Sequence, residues 1–176
     1  MTWWSAVLPI VTLVLGYVGT LVTEDRRDQR ATTRERELRI EDERRGRLLK
    51  RDDFELNTLL RAHTALGDVG RAAGRVMHFD TMSGRSTGVY AGTQLTTELS
   101  DRLFQEDRAL HDVTGLILDD AIRLAVEDVH MGLTRATNNI RAPLEQGELV
   151  TLAAIAQVGA AQDLVSERIR AVYRSR

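Results

Sequence analysis

The longest uncharged stretch of the sequence runs from Trp3 to Val22, WWSAVLPIVTLVLGYVGTLV. As an α-helix, these 20 residues would span about 30 Å, which matches the thickness of the hydrocarbon core of a bilayer. A stretch of this length and composition predicts a membrane-spanning helix. The rest of the chain is therefore considered as the part that this helix anchors.

The predicted helix lacks the features of a cleaved signal peptide. Met1 and Thr2 carry no basic side chain, and no small-x-small cleavage pattern follows the apolar stretch. The apolar stretch also has full spanning length, whereas the apolar part of a signal peptide is shorter. We therefore predict an uncleaved, single-pass anchor over residues 1–23.

Arginines follow the predicted anchor, and no basic side chain precedes it. Six of them lie within about 20 residues of its C-terminal end, the range in which positive charge sets orientation: Arg26, Arg27, Arg30, Arg34, Arg36 and Arg39. This asymmetry predicts a protein of the inner or plasma membrane with its N-terminus outside and its C-terminal domain in the cytoplasm. Trp3 and Trp4 suit the outer interface, where indole rings prefer the headgroup level.

Small residues recur along the predicted anchor. Thr12, Gly16 and Thr20 are spaced four residues apart, so they share one side of a helix. Such a side permits close packing of helices in lipid. The alternative is that small residues are simply common in spanning helices.

A strongly charged segment follows at residues 24–53. It has 11 basic and 10 acidic residues among 30, with the signs interleaved, and pairs such as Glu35 with Arg39 have the i,i+4 spacing that supports a helix. Apolar residues are too sparse for a core or a coiled-coil seam. We predict a solvated helical stalk; a basic element on anionic lipid is the alternative. A net charge of plus one, 11 minus 10, argues against nucleic-acid binding.

The composition of the whole chain favours helices. Aromatic residues make up 5% and there are two prolines, whereas strands favour aromatic and β-branched residues. The chain has no cysteine, which excludes disulfides, thiolate metal sites and cysteine nucleophiles.

Residues 54–176 carry apolar residues at helical spacing in four segments. The first has Leu59, Leu66 and Ala73 in phase, with three glycines that predict a close helix crossing or a frayed end. Residues 80–92 are rich in glycine, serine and threonine and predict a flexible loop. A phase slip at Asp119 and Asp120 predicts a helix break with an aspartate cap. The predicted fold is all-α: an N-terminal transmembrane helix, a charged helical stalk and a small antiparallel helical bundle.

Several segments together resemble a group of known proteins. They are the Trp3-Trp4 opening, the charged run after the anchor, the segment Phe54–Leu59 (FELNTL) and the segment Leu116–Arg123 (LILDDAIR). In these features the chain resembles uncharacterised single-pass membrane proteins of high-GC actinobacteria and their phages. The resemblance implies an anchored helical domain, and it implies no activity or catalytic residue.

Two short patterns match catalytic motifs. Residues 84–88 read G-x-S-x-G, but a nucleophile elbow needs a strand before the serine, and no strand is predicted there. Glu127 and His130 form a Glu-x-x-His pair, which in di-iron bundles occurs twice; Asp107 and His111 are the nearest substitute for the second pair. These four residues are metal-ligand candidates, and a solvated helix surface is the simpler interpretation.

The sequence thus predicts a non-enzymatic, membrane-anchored interaction or scaffold protein without a cofactor. Its expected partners are membrane lipid and either a protein partner or a second copy of the chain; neither nucleic acid nor a small-molecule substrate is expected. One alternative is an enzyme with a degenerate metal–carboxylate site in the bundle. Another is an envelope protein of phage type related to lysis, in which association of the anchors is the function.

Overall fold

The computed structural model describes the backbone of residues 4–138 and 142–174, and the side chains of residues 34–137 and 142–174. The chain divides into two compact units, residues 1–50 and residues 51–176. The side chains of the predicted anchor, including Trp3, Trp4, Thr12, Gly16 and Thr20, lie outside the described residues.

The described part of the chain is helical, as the sequence predicts. It contains four helices and one two-stranded antiparallel sheet. In chain order these are α1 (Trp4–Thr87), β1 (Val89–Tyr90), α2 (Thr97–Thr114), α3 (Asp120–Asn138), β2 (Ala142–Pro143) and α4 (Leu144–Arg174).

The described side chains of the first unit, residues 34–50, are exposed apart from the half-buried Gly46. Exposed Leu38 and Ile40 confirm that this segment supplies no core. The predicted pair of Glu35 and Arg39 forms, with 2.9 Å between the carboxylate oxygen and the guanidinium nitrogen. Because both side chains are exposed, such a pair contributes only about 0.3–0.5 kcal/mol to helix stability.

The second unit has one apolar core to which all four helices contribute. The first buried residues of α1 are Glu55 and Leu56, whereas Phe54 is 48% exposed. The most deeply buried core residues are Leu59, Ala62, Leu66, Val69, Leu110, Val113, Ile117, Val126, Val129, Leu133, Ala154, Val158, Ala161 and Val165. Most of them belong to the stripes predicted from helical spacing.

The glycines of α1 mark where α4 crosses it. A methyl group on Gly70 would lie 3.1 Å from Cγ1 of Val158, and one on Gly67 would lie 3.2 Å from Nε2 of Gln162. The predicted close crossing is therefore confirmed. Gln162, the polar residue in the apolar stripe of α4, donates a hydrogen bond from Nε2 to the carbonyl oxygen of His63 at 3.4 Å.

Helix α1 extends to Thr87, so the prediction of a loop over residues 80–92 is wrong for residues 80–87. The hydroxyl group of Ser86 donates to the carbonyl oxygen of Ser83 at 2.8 Å, which satisfies a backbone acceptor near the helix end. Gly84 faces Leu144, and a methyl group there would lie 2.6 Å from Cδ1 of Leu144. Tertiary packing thus outweighs the weak helix propensity of this segment. Gly88 ends the helix at φ +76, and its N–H donates to the carbonyl oxygen of Gly84.

The small sheet was not predicted. Strands β1 and β2 pair Val89 with Pro143 and Tyr90 with Ala142. The ring of Tyr90 is 2% exposed and packs on Gly147 in the first turns of α4. Its hydroxyl group lies 3.0 Å from Oγ1 of Thr151.

Asp119 caps α3, as the sequence predicts. Its Oδ1 atom accepts hydrogen bonds from the backbone N–H groups of Ala121 at 3.0 Å and Ile122 at 3.2 Å. These are donors of the first turn that have no partner inside the helix.

A partly buried ion pair joins α1 to α4. Glu55, whose side chain is 6% exposed, accepts a hydrogen bond from Nε of Arg168 at 2.6 Å. The same guanidinium nitrogen lies 3.9 Å from Oδ2 of Asp119, so the cap of α3 is linked to the pair. Removal of Arg168 would leave the buried Glu55 carboxylate without this compensating charge.

Candidate functional site

The structure brings three of the four metal-ligand candidates together between α2 and α3. Nδ1 of His130 lies 2.7 Å from Oδ1 of Asp107. Because a carboxylate accepts hydrogen bonds, Nδ1 of the imidazole is the donor in this contact. The ring of His111 lies 5.7 Å from that of His130, centroid to centroid.

The fourth candidate, Glu127, does not join them. Its carboxylate lies 3.9 Å from the guanidinium of Arg123, which also contacts Asp120 at 2.7 Å. Among the described residues there is no group of three or more histidine, aspartate or glutamate side chains placed to hold a metal ion. Glu127 thus pairs with Arg123 on its own helix, whereas His130 contacts Asp107 of α2.

A cavity of about 440 Å³ lies next to this region, between α1, the segment after β1, and the first turns of α2. Val76 and Asp80 of α1 line one wall, and Thr137 of α3 lines another. Asp80 is 5% exposed, and its Oδ1 atom has no hydrogen-bond partner among the described residues. Burial raises the pKa of this carboxyl group to about 6, because the charged form is poorly solvated there.

A second cavity, of about 370 Å³, adjoins the first. The two share Leu95, Ser100 and Thr137 in their walls. Leu103, Phe104 and Leu133 line the second cavity, which also reaches Asp107 of the Asp107–His130 pair. The two cavities thus form a groove from a buried carboxyl group to a histidine–aspartate pair.

Ala91, on the wall of the first cavity, has a positive φ of 50°. This left-handed region is sterically unfavourable for alanine, whereas glycine adopts it freely. The surrounding structure holds the backbone in this conformation at the cavity wall.

Helix α4 is apolar on two opposite faces. One face packs into the core, whereas Leu149, Leu152 and Leu164 on the other face are 67%, 51% and 43% exposed. Between the leucines of this outward face lie small exposed residues: Ala153, Ala156, Gly159 and Ala160.

Helix α4 also has the length and composition of a membrane-spanning helix among the described residues, with a mean hydropathy of 1.4. Its uncharged part, from Leu149 to Gln162, has 14 residues and is about 21 Å long. This is shorter than the roughly 30 Å of a hydrocarbon core, and the other face of the helix is packed against α1 and α3. The short uncharged part of α4 and the packing of its inner face favour a role within the helical domain.

The sequence predicted four candidates, Asp107, His111, Glu127 and His130, of which the structure brings three together; it did not predict the cavity beside Asp80. No local signal marks this cavity, because its walls come from residues as far apart as Val76 and Thr137. The outward face of α4 did carry a signal, namely the absence of charge from Leu149 to Gln162.

No family model, curated protein or solved structure matches the chain.

Proposed function

We propose that the protein is a membrane-anchored, non-enzymatic interaction protein whose helical domain associates with a second copy of itself. In this proposal residues 3–22 span the membrane, residues 24–53 form a charged stalk, and residues 54–176 form an antiparallel bundle on the cytoplasmic side. The arrangement of arginines after residue 23 supports the orientation.

The observation that carries the proposal is the outward face of α4. A helix that is apolar all round is normally buried on all sides. Here the core covers one face, while Leu149, Leu152 and Leu164 are exposed. Contiguous exposed apolar surface of this kind marks an interaction site.

The chemistry of the face favours a second copy as its occupant. No charge lies between Glu148 and Asp163, so two such faces do not repel each other. The small residues Ala153, Ala156 and Ala160 permit two helices to approach closely.

Cysteine crosslinking in native membranes tests this proposal, since the chain has no cysteine of its own. Ala153→Cys, Ala156→Cys and Ala160→Cys are introduced one at a time into the full chain. Ala109→Cys is the matched control, because Ala109 is an exposed alanine on α2. A short bifunctional maleimide should give a product of twice the chain mass from at least one α4 variant and little from the control.

A yield from all three α4 variants no higher than that of Ala109→Cys would contradict self-association. A crosslinked product whose mass does not equal two chains would also contradict it, and would indicate a different protein as the partner.

The second candidate is a degenerate metal–carboxylate site. It is favoured by one observation, the approach of Asp107, His111 and His130. Metal analysis of the purified full chain tests it: a stoichiometric metal lost on Asp107→Asn would support this candidate. A metal-free protein whose melting temperature is unaffected by a chelator would exclude it.

A further inference from the structure

The first cavity contains an unpaired buried carboxyl group. Oδ1 of Asp80 has neither solvent contact nor a hydrogen-bond partner among the described residues, and the same is true of Oγ1 of the adjacent Thr81. Burying a carboxylate without a cation or a donor is costly, because the hydration that it loses is not replaced. The structure of the described residues supplies no group that offsets this cost.

The other walls of the cavity combine apolar side chains, such as Val76 and Leu95, with acidic and polar ones. Asp101 adds a second carboxyl group, and hydroxyl groups come from Thr93, Thr97 and Ser100. No lysine, arginine or histidine is among the described residues that line it. The cavity thus offers negative charge and hydrogen-bond acceptors, and a complementary ligand carries positive charge and donors.

The adjoining cavity indicates what else such a ligand carries. Leu103, Phe104 and Leu133 line it, so it suits a hydrocarbon group. These apolar walls offer no ligands to a metal ion. Among the described residues, no group of three acidic or histidine side chains is placed to hold such an ion. A cavity of about 440 Å³ falls in the size range of small-molecule sites.

We infer that this pair of cavities binds a small organic amine, with its ammonium group on Asp80 and its hydrocarbon part along Leu95 and Leu103. An ammonium group has three donors and no acceptor, which matches a site of carboxylate and hydroxyl oxygens. A charge-assisted hydrogen bond from the ammonium group to the part of Asp80 that lines the cavity compensates the charge of this carboxylate. The inference is independent of self-association through α4, because none of the residues that line the two cavities belongs to α4.

Isothermal titration of the full chain in detergent micelles with n-butylamine tests the inference. The matched ligand is n-butanol, which has the same hydrocarbon chain without the charge. The test variant is Asp80→Asn, which keeps the shape of the side chain and removes its charge. The control variant is Asp112→Asn, because Asp112 is an exposed residue of α2 that lines neither cavity.

We expect saturable binding of n-butylamine to the unaltered chain and to Asp112→Asn, and an affinity about tenfold or more lower for Asp80→Asn. Equal affinity of the unaltered chain and Asp80→Asn would overturn the inference, as would equal affinity for n-butanol. Absence of saturable n-butylamine binding to the unaltered chain would also overturn it.

Discussion

At the scale of single residues, the contact between Gly147 and Tyr90 fixes the small sheet against α4. A methyl group at position 147 would overlap the Tyr90 ring, which is almost fully buried. Overpacking of this kind costs about 1–3 kcal/mol and outweighs the gain of up to about 1 kcal/mol from replacing a helical glycine by alanine. We expect Gly147→Ala to lower the free energy of unfolding by about 2 kcal/mol in urea denaturation.

Gly74→Ala is the control for this prediction. Gly74 lies inside α1, and a methyl group there would meet nothing within 4 Å. This substitution should raise the free energy of unfolding by up to about 1 kcal/mol. The same sign for both substitutions would mean that helix propensity, and not the Tyr90 contact, determines the effect at position 147.

Asp80 makes a second prediction at this scale, on pH dependence. Burial raises the pKa of its carboxyl group from 3.8 to about 6, so the folded chain holds this proton more tightly than the unfolded chain. Its contribution to stability is therefore greatest below about pH 4 and is lost as the pH rises through about 6. The loss amounts to at most about 3 kcal/mol, since one pKa unit corresponds to about 1.4 kcal/mol.

Thermal unfolding at about pH 4 and about pH 8 measures most of this effect. Asp80→Asn should have a smaller fall in stability between the two values than the unaltered chain, because the amide does not titrate. Asp112→Asn, an exposed control, should keep the full fall. If Asp80→Asn loses as much stability as the unaltered chain, other groups cause the pH dependence.

At the scale of secondary-structure elements, the cap of α3 provides a direct test of how the sequence sets a helix boundary. Asp119 accepts hydrogen bonds from Ala121 and Ile122, whereas its neighbour Asp120 has an exposed side chain. Asp119→Ala should cost about 1 kcal/mol or more in the free energy of unfolding, since it removes the cap and a charge near Arg168. Asp120→Ala should cost about half as much or less, and equal costs would refute the assignment of the cap.

Helical spacing predicted most elements of the helical domain, because the apolar core residues recur in the sequence at regular intervals. The break at Asp119 was also predicted, and the crossing at Gly67 and Gly70 was one of the two alternatives for that segment. The end of α1 was not, since residues 80–87 have weak helix propensity and become helical through packing against Leu144. The pairing of β1 with β2 joins residues more than 50 positions apart, so no local pattern indicates it.

The candidate site was predictable only in part, for the same reason. The spacing of Asp107 with His111 and of Glu127 with His130 put acids and histidines on helix surfaces, but only tertiary packing decides that His130 contacts Asp107 and that Glu127 contacts Arg123. The cavity beside Asp80 depends on four separate segments. A buried acid in such a place is visible only in three dimensions.

At the scale of the whole molecule, the proposed protein consists of an anchor and a helical domain that exposes one apolar face. The uncharged stretch Trp3–Val22 and the six arginines after it predict which side of the membrane holds that domain. The side of the membrane determines the available partners, so topology is the central claim.

The most direct measurement fuses to Arg176 a reporter enzyme that is active only outside the cytoplasm. The matched fusion joins the same reporter to the same chain with an added cleavable signal peptide in place of residues 1–23. We predict that the first fusion fractionates with membranes and has no reporter activity, whereas the second fusion is active. Strong activity of the first fusion would contradict the orientation, and its recovery in the soluble fraction would contradict the anchor.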